Sequence, residues 1–441
     1  MIIVLFNIIT FILVVIIVKD YKLGFLSFLC ARIAIPNMVR FEVGNISINI
    51  FDILTIALLC SLILHIKQIK FKLPISIKYF LSLYIISTLI LIFLSSAIVP
   101  YSHQIYIFIK KYVFQEILII YTAYQAFQYV NIKKYVNVII SISILCGIYG
   151  ILAYILGFNP YVNILSLIYN GVDNVFEMFQ EESRGVLEGR ISGTMPHPLA
   201  WGQFWNIIIA FYFIIRKEVC ALFKYTFLPI GIINCFLCGS RTSIVTFCII
   251  VVFVLFDEKL RTRVRYSFFF LLFFISLSIS QKDNKKFKES ISYIEATICF
   301  WDEDKSKNAG IGGSSKGMRE IQFEESLNIA YANPIGGVGL DYEYYSIDNP
   351  SVSNPLLLGF ESIIFNRLVE QGFLGLIFFF ILYYLLFKFL TSNLKKKYVY
   401  YGYFISFLSS ILITNIQGHN WIIFISLLFL FKLNYKYLIY K

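Results

Sequence analysis

Charged residues are scarce in this chain. Asp, Glu, Lys and Arg make up 15% of its 441 residues, whereas soluble domains carry about a quarter. Hydrophobic residues make up 59%, and the mean hydropathy is +0.75. The shortage of charge excludes a soluble enzyme and indicates a chain built mainly from apolar membrane segments.

The cysteines and histidines are also too few, or lie in unsuitable positions, to form a disulfide framework or a metal site. Most of the eight cysteines lie inside apolar runs, which excludes a secreted disulfide framework. No cluster of His and Cys predicts a metal site, so we expect neither an essential metal nor a cofactor. Residues 302–304 are Asp-Glu-Asp and could bind a cation, but a solvated acidic loop is the simpler interpretation.

Apolar runs of about 20 residues are typical of bilayer-spanning helices, and thirteen candidates occur here. They lie at 2–18, 23–40, 46–65, 79–99, 112–130, 136–157, 196–215, 225–238, 241–256, 266–280, 363–388, 399–414 and 418–432. Arg32, Pro36 and Arg40 interrupt the second run, which is therefore either a span or a re-entrant or interfacial segment. The predicted fold is all-α, a polytopic transmembrane helical bundle of 12 or 13 helices.

The distribution of basic residues predicts the orientation of this bundle. Of 38 Lys and Arg residues, 22 lie in alternate short loops and the C-terminal tail. Such loops face the cytoplasm. The net charge of +12 follows this topology and forms no basic stripe with interleaved aromatics, which argues against nucleic-acid binding.

The same pattern divides the chain into five regions with two large extracytoplasmic loops. The regions are N-terminal helices at 1–157, a first loop at 158–195, central helices at 196–280, a second loop at 281–362 and C-terminal helices at 363–441. Residue 1 begins an apolar run without a basic segment or cleavage site, so we expect a retained helix. Polar chemistry is expected at the two loops and the adjoining helix ends.

Several arginines lie beside these outer helix ends. Arg184 and Arg190 belong to the first loop, which ends in Pro196-His197-Pro198 before a span. Either the two arginines bind substrate or they belong to a solvated charged loop. Arg241 follows a Gly-Ser turn between two apolar spans, where the free N–H groups of a starting helix favour an anion. The alternative for Arg241 is snorkelling to lipid headgroups.

The second loop contains a predicted amphipathic helix over 317–333, with Arg319 in its first turn. The helix stops at Asn333-Pro334, and a glycine-rich turn follows. The turn lacks the strand, helix and Lys-Ser/Thr context of a P-loop or a dinucleotide-binding fingerprint.

Three charged residues mark the outer entry to the span at 363–388. Glu361, Arg367 and Glu370 cannot all face lipid at tolerable cost, so some of them line a pocket or pair with one another. Arg367 and Glu370 are three residues apart, and a local ion pair is the simplest interpretation of both.

These motifs, in this order, resemble the O-antigen polymerase/ligase superfamily of bacterial envelopes. The resemblance rests on the Gly-Ser-Arg-Thr turn, the arginine-led helix that closes in Asn-Pro-Ile-Gly-Gly-Val-Gly-Leu, and Glu-x-Gly-x-x-Gly at 370–375, and covers about 184–376. It implies a glycosyltransferase in the bacterial cytoplasmic membrane that takes glycans from a polyprenyl diphosphate lipid at the outer face. A chain-length regulator is a possible partner.

One position distinguishes the two branches of this superfamily. The resemblance implies that a ligase carries a His-Asn pair eleven residues before a glycine of the closing motif. Here the position eleven residues before Gly372 holds Glu361, followed by Ser362. The missing histidine favours the polymerase branch, which joins lipid-linked repeat units. A ligase in which Glu361 replaces histidine remains the alternative.

The predicted mechanism needs phosphate ligands and a proton acceptor. Arg241 and Arg319 are expected to clamp the donor diphosphate, because a guanidinium binds phosphate in two-point fashion and stays charged. Glu361 is expected to take the proton from the acceptor hydroxyl, with inversion at the anomeric carbon and no metal. Binding residues are predicted at Arg184, Arg190, His197, Arg367 and Glu370.

The rival from another class is a transporter of lipid-linked sugars. Transporters usually place charges and broken helices near the bilayer midplane, often in two similar halves. The chain has no internal repeat, and its interior charges gather toward one face, with Asp52 and Glu116 as exceptions. The sequence therefore favours an enzyme.

Overall fold

The structure is a computed structural model, and it describes most of the chain. The described residues are 2–36, 40–43, 46–69, 73–161, 189–259, 316–357, 359–392, 398–415 and 418–439, with single positions at 164, 292, 295, 296 and 305. The predicted span at 266–280, Arg184 and the acidic run at 302–304 lie outside them.

The N-terminal part of the described chain folds mainly into helices. Its elements are α1 (Ile2–Lys19), α2 (Tyr21–Ala34), β1 (Arg40–Val43), β2 (Ile46–Asn49), α3 (Ile50–Leu64), α4 (Ile75–Leu94), α5 (Tyr101–Ile107), a π-helical segment (Phe108–Ile117), α6 (Leu118–Ala126) and α7 (Ile132–Leu156).

The C-terminal part is helical apart from its connecting loops. Its elements are α8 (Pro198–Ile215), α9 (Ala221–Leu237), α10 (Arg241–Asp257), α11 (Lys316–Ala332), α12 (Tyr342–Asp348), α13 (Ile363–Thr391), α14 (Tyr398–Thr414) and α15 (Gly418–Ile439). Short 3₁₀ turns occupy Ile66–Gln68, Pro350–Val352 and Pro355–Leu357. The all-α prediction is confirmed as the fold class, and the amphipathic helix predicted at 317–333 is α11.

Four described helices, α4, α7, α8 and α13, are long and apolar enough to cross a membrane. The other apolar helices are shorter, and the predicted number of 12 or 13 spans stays a prediction. Helix α8 matches its predicted span of 196–215 closely, because Pro198 stands in the first turn, where a missing N–H costs nothing.

The predicted span at 23–40 and the first residues of the span at 46–65 are wrong in detail. Helix α2 ends at Ala34, just before Pro36. An antiparallel hairpin then pairs Arg40 with Asn49 and Val43 with Ile46. A 14-residue helix is about 21 Å long, which is shorter than the roughly 30 Å hydrocarbon core.

The span predicted at 112–130 is wrong at its start. Helical structure already begins at Tyr101 and continues through the π-helical segment to Ala126. The sequence did not indicate this earlier start, because the polar residues His103, Lys110 and Lys111 suggested a loop. A π-helical segment has i→i+5 hydrogen bonds and is frequent at functional sites.

Helix α8 is the centre of the bundle. It packs against α9, α10, α14 and α15, and most of its residues are buried. Trp201, Phe204 and Trp205 are fully buried, and their rings contact one another with centroids 5.4–5.7 Å apart. This aromatic core supports the turn that holds Arg241, because Asn206 of α8 donates to the backbone oxygen of Ser243 at 3.0 Å.

Two helix pairings bring the predicted site residues to one end of the bundle. Helices α10 and α14 run antiparallel, since Thr246 contacts Ser409 and the amide of Val399 donates to Asp257. The start of α10 therefore lies level with the end of α14, where the hydroxyl of Ser362 donates to the carbonyl of Leu412 at 2.6 Å. We call this end, formed by residues 189–197, 238–241, 333–341 and 359–362, the site end.

The opposite end of the bundle is rich in basic residues. Lys22 donates to the Gln128 carbonyl at 3.0 Å, and Arg216 pairs with Glu258 at 2.7 Å. Both contacts join loops remote from the site end. The assignment of the basic loops to the cytoplasmic side stays a prediction.

Candidate active site

The site end is organised by two glycine-containing segments that contact each other directly. We call residues 333–340 and 369–373 together the glycine hub. The amide of Val338 donates to the carbonyl of Val369 at 2.9 Å, and that of Gly339 to Glu370 at 3.2 Å. In the other direction, the amide of Phe373 donates to the carbonyl of Pro334 at 2.9 Å. Two motifs far apart in sequence thus share one backbone interface.

Glycine is required at this interface. Gly372 interrupts α13 with φ 65° and ψ −167°, a conformation available almost only to glycine. A Cβ on Gly372 would lie 2.6 Å from the carbonyl oxygen of Pro334, and one on Gly337 would lie 2.4 Å from that of Val369. The close approach and the positive φ explain the glycines of both motifs.

The loop between α4 and α5 completes the hub. The amides of Ser96 and Val99 donate to the carbonyls of Gly337 and Val338, both at 3.0 Å. The side chain of Gln104, fully buried, donates to the Val99 carbonyl at 2.7 Å and accepts from the Leu340 amide at 3.2 Å. Sequence analysis missed Gln104, whose only signal was a lone amide beside an apolar run.

The hub positions α11 above the start of α13, and this brings Arg319 and Glu361 together. Arg319 Nη2 lies 3.4 Å from Glu361 Oε2. Phe323 and Phe365 pack beside them with ring centroids 5.7 Å apart. We call Arg319 and Glu361 the rim pair.

Gln322 fixes the backbone that carries Glu361. It is 1% exposed, and its Oε1 accepts from the Glu361 amide at 3.0 Å. Its Nε2 donates to the Gly359 carbonyl at 3.4 Å. Sequence analysis also missed this residue, although its position, three residues after Arg319 on an amphipathic helix, could have indicated it.

The rim pair remains open to solvent. The side chains of Arg319 and Glu361 are 37% and 29% exposed. A pair in this position gains little from its own attraction, because water screens both charges. Both side chains are therefore available to a ligand at low cost.

Arg241 begins α10, as the sequence predicted. Ser240 caps this helix with its hydroxyl, which accepts from the Ser243 amide at 3.3 Å. Gly239 precedes the cap with φ 61°. The free N–H groups of the first turn and the Arg241 side chain together form a positive helix end.

Arg190 lies against the same turn. Its Nε donates to the Cys238 carbonyl at 3.2 Å, and its Cγ is 3.0 Å from the position that a Cβ on Gly239 would take. Arg190 is 4% exposed, so the interpretation as a solvated loop residue is wrong for it. The physical reason is that residues 190–195 pack inside the bundle, where the Thr194 hydroxyl donates to the Ile33 carbonyl at 2.6 Å.

His197 has a structural role at the start of α8. Its Nδ1 accepts from the Leu199 amide at 3.0 Å, which caps the helix. The neutral imidazole that this bond requires is already engaged. His197 lies at the site end, where this bond caps α8.

Arg367 and Glu370 are both buried, with 8% and 7% exposure. The local ion pair expected between them does not form. Arg367 Nη1 instead donates to the hydroxyl of Tyr112 at 3.2 Å. The charge of Arg367 nevertheless acts on Glu370, as do those of Lys111 and Asp341. The backbone carbonyl of Glu370 belongs to the glycine hub.

Glu343 of α12 lies near the loop that precedes Glu361. Burial raises the pKa of the Glu343 carboxyl above its ordinary value of 4.5, while the backbone amides of Phe360 and Gly359 and the charge of Lys111 act in the opposite sense. A half-buried carboxyl therefore supports the chain that carries the rim pair.

Within the described residues, no group of three or more His, Cys, Asp or Glu side chains could hold a metal ion. Cys235 and Cys238, spaced as a C-x-x-C pair, are both buried, and the Cys238 thiol contacts the Cys235 carbonyl at 3.1 Å. At the site end, the described residues thus offer arginines, a helix start and the Glu361 carboxylate beside Arg319.

Part of the chain is similar to a known protein family. Residues 226–380 match the family model described as O-antigen ligase. The matched range contains Arg241, Arg319, Glu361 and Gly372, and it begins after Arg190 and His197. Among curated proteins, no sequence matches the chain. Over these residues the chain is similar to the O-antigen ligase family.

Proposed function

We propose that this protein is a polysaccharide polymerase of the bacterial cytoplasmic membrane. It joins oligosaccharide repeat units carried on polyprenyl diphosphate, with its active site on the extracytoplasmic face. The observation that carries the proposal is the rim pair, in which a guanidinium from α11 meets a carboxylate at the start of α13. A phosphate ligand and a proton acceptor thus stand side by side.

The arginines bind the donor diphosphate. Arg319 is partly exposed on the rim, and Arg241 begins a helix whose free N–H groups favour the same anion. A guanidinium presents a planar fork to phosphate and stays charged in a partly dry site. Arg190 supports the Arg241 turn from below through its bond to the Cys238 carbonyl, and Arg184 is proposed as a third phosphate ligand.

Donor binding prepares Glu361 for catalysis. In the structure, Arg319 Nη2 lies 3.4 Å from Glu361 Oε2. When the diphosphate binds, Arg319 exchanges the carboxylate for phosphate oxygens, which carry more charge. Glu361 is then released to accept a hydrogen bond from the acceptor hydroxyl, while Gln322 continues to hold its backbone amide.

The transfer is a single displacement. Glu361 takes the proton of the acceptor hydroxyl as the hydroxyl oxygen forms its bond to the anomeric carbon. The bond from that carbon to the diphosphate oxygen breaks, and polyprenyl diphosphate leaves with the electron pair. Arg241 and Arg319 stabilise the negative charge that grows on the leaving group, and the configuration inverts. No metal is needed in this scheme.

The residue at the base position favours polymerisation over ligation. The position at which the resemblance places a ligase histidine holds Glu361, and the next residue is Ser362, which caps α13 by accepting from the Ile364 amide at 3.2 Å. The matching family model is described as O-antigen ligase, so the assay must separate the two outcomes.

The test uses purified full-length protein and a labelled lipid-linked repeat unit. A ladder of product lengths is expected, whereas a ligase would give a single transfer to a different lipid or protein acceptor. Arg241→Ala, Arg319→Ala and Glu361→Ala are each expected to abolish the ladder. Near-normal polymer formation by folded Arg241→Ala and Glu361→Ala proteins would reject this site assignment.

A further inference from the structure

The π-helical segment gathers side chains that an α-helix would separate. Its i→i+5 hydrogen bonds place residues five apart nearly one above the other, whereas in an α-helix such residues lie about 140° apart around the axis. Ile109 and Phe114 have this spacing, and so do Lys110 and Gln115. All four side chains line one groove. The π-helical geometry therefore builds one wall of that groove.

The groove lies between this segment and α3 and opens to the side of the bundle. Its free volume is about 300 Å³, which is at the lower end of the range for ligand pockets. Ile56 of α3 and Tyr106 of α5 also line it, and together with Ile109 they are 47–55% exposed. Exposed apolar side chains on an apolar helix face the hydrocarbon of a bilayer, so the groove is accessible to lipid.

The polar groups of the groove are already bonded. Gln115 Nε2 donates to Asp52 Oδ1 at 2.6 Å, and the Thr55 hydroxyl donates to the Phe51 carbonyl at 2.6 Å. The charge of Asp52 also acts on the buried Arg32, so these two charges balance each other. The surface that the groove presents is therefore mainly apolar and fits a hydrocarbon chain.

Lys110 supplies the net charge of the groove. Its side chain is exposed, and its Nζ lies 5.5 Å from the centre of the Tyr106 ring. None of the ion pairs formed between described residues includes Lys110. An ammonium group on a lipid-facing surface is costly without an anion or water. The anion that a membrane supplies beside a hydrocarbon chain is a lipid phosphate.

We propose that this groove binds an anionic glycerophospholipid of the surrounding membrane, such as phosphatidylglycerol. One acyl chain lies along the apolar walls, and the phosphate contacts the Lys110 ammonium. A single uncompensated positive charge favours an anionic lipid over a zwitterionic one, whose own ammonium competes for the phosphate. The groove shares no residue with the rim pair, and the inference does not depend on the proposed function.

The experiment measures lipid binding to the delipidated full-length protein in detergent by native mass spectrometry. The probes are dioleoyl phosphatidylglycerol, dioleoyl phosphatidylcholine and dioleoylglycerol, which share their acyl chains and differ in the head group. Wild-type protein is expected to bind phosphatidylglycerol about fivefold more tightly than phosphatidylcholine, as one lysine beside an anionic lipid predicts. Dioleoylglycerol, which has no phosphate, is expected to bind most weakly.

Two lysine variants test the charge. Lys110→Gln is expected to lower the affinity for phosphatidylglycerol to that for phosphatidylcholine. Lys133→Gln removes an exposed lysine at the start of α7 and is the matched control. It is expected to bind all three probes as the wild-type protein does.

Two isoleucine variants test the groove without touching Lys110. Ile56 lines the groove, whereas Ile63 lies seven residues later on α3, is 60% exposed and does not line it. Ile56→Trp fills the groove and is expected to weaken phosphatidylglycerol and phosphatidylcholine alike, because both place an acyl chain there. Ile63→Trp, the matched control, is expected to leave binding unchanged.

Three results would overturn the inference. Equal wild-type affinity for phosphatidylglycerol and phosphatidylcholine would show that the head-group charge is not recognised. Equal binding by Ile56→Trp and Ile63→Trp would show that the acyl chain lies elsewhere. A preference for phosphatidylglycerol that falls as much in Lys133→Gln as in Lys110→Gln would show attraction to the overall positive charge of the protein and not to this groove.

Discussion

Two arginines near the start of α13 meet opposite environments. Arg319 is 37% exposed and faces a carboxylate at 3.4 Å, whereas Arg367 is 8% exposed and bonds only a phenol at 3.2 Å. An exposed pair contributes about 0–1 kcal/mol to stability, whereas the charge of Glu370 acts on the buried Arg367. The rim pair is therefore the arrangement that solvent and a ligand can reach, and Arg367 belongs to the buried part of the fold.

The largest expected effect is a loss of activity at the rim pair without a loss of stability. Glu361→Gln keeps the shape of the side chain but removes the proton acceptor, so turnover should fall by roughly 10²–10⁴. The midpoint of thermal unfolding should stay the same, because the lost ion pair is solvent-exposed. Donor affinity, measured by titration, should be unchanged or higher, since Arg319 no longer leaves a carboxylate. Normal turnover in this variant would show that Glu361 is not the base.

The glycine hub holds the loop after α11 against α13. A substitution in it is therefore expected to lower the free energy of unfolding. Gly372→Ala should cost roughly 2–4 kcal/mol, because it adds a forbidden conformation and a contact of 2.6 Å with the Pro334 carbonyl. Gly359→Ala is the matched control. Its φ is 74° but nothing lies within 4 Å of the added Cβ, so about 1–2 kcal/mol is expected. Chemical denaturation of both variants measures the difference, and equal losses would contradict the role given to the hub.

A smaller effect is expected at Gln322, which fixes the backbone of Glu361 in the rim pair. Gln322→Leu leaves the Glu361 amide without its acceptor, and a misplaced base should lower kcat by about tenfold. Donor KM should not change, because Arg319 and Arg241 are untouched. Glu324→Gln, an exposed change on the same helix, is the control. A change in KM instead of kcat would place Gln322 in binding.

The smallest effect concerns the pH dependence of stability at Glu343. Burial raises the pKa of this carboxyl above 4.5, so the folded protein binds its proton more tightly than the unfolded chain does. The stability contributed by that proton is present below the ordinary pKa and is lost as pH rises through the raised pKa. Glu343→Gln should therefore raise the unfolding midpoint at pH 7, with the gain shrinking toward pH 4. A gain that is equal at both pH values would exclude the carboxyl as its cause.

The sequence was sufficient for the class of fold, and it singled out both residues of the rim pair, whose roles stay a prediction. Apolar periodicity predicted α8, α10, α11 and α14 within a few residues, because long apolar or amphipathic patterns determine such helices locally. The separate motifs identified Arg319 and Glu361. The contact between them at 3.4 Å could not be predicted from the sequence, because it depends on how α11 packs on α13.

Features that depend on tertiary packing escaped prediction. The burial of Arg190 follows from the path of residues 190–195 through the bundle, which no local pattern records. The early start of the helix at Tyr101 was hidden by Lys110 and Lys111, whose polarity suggested a loop. The glycines of 336–339 signalled a turn, but their partner at Gly372 is more than thirty positions away.

The break at Gly372 uncouples the two halves of α13. The carbonyls of Val369 and Glu370 are bonded by amides of the preceding loop, so the upper segment is fastened to residues 338–339 and not to its own continuation. The segment after the break is bonded to the same loop, since the amide of Phe373 donates to the carbonyl of Pro334. Both sides of the break in α13 are therefore held by residues that lie more than thirty positions earlier in the chain.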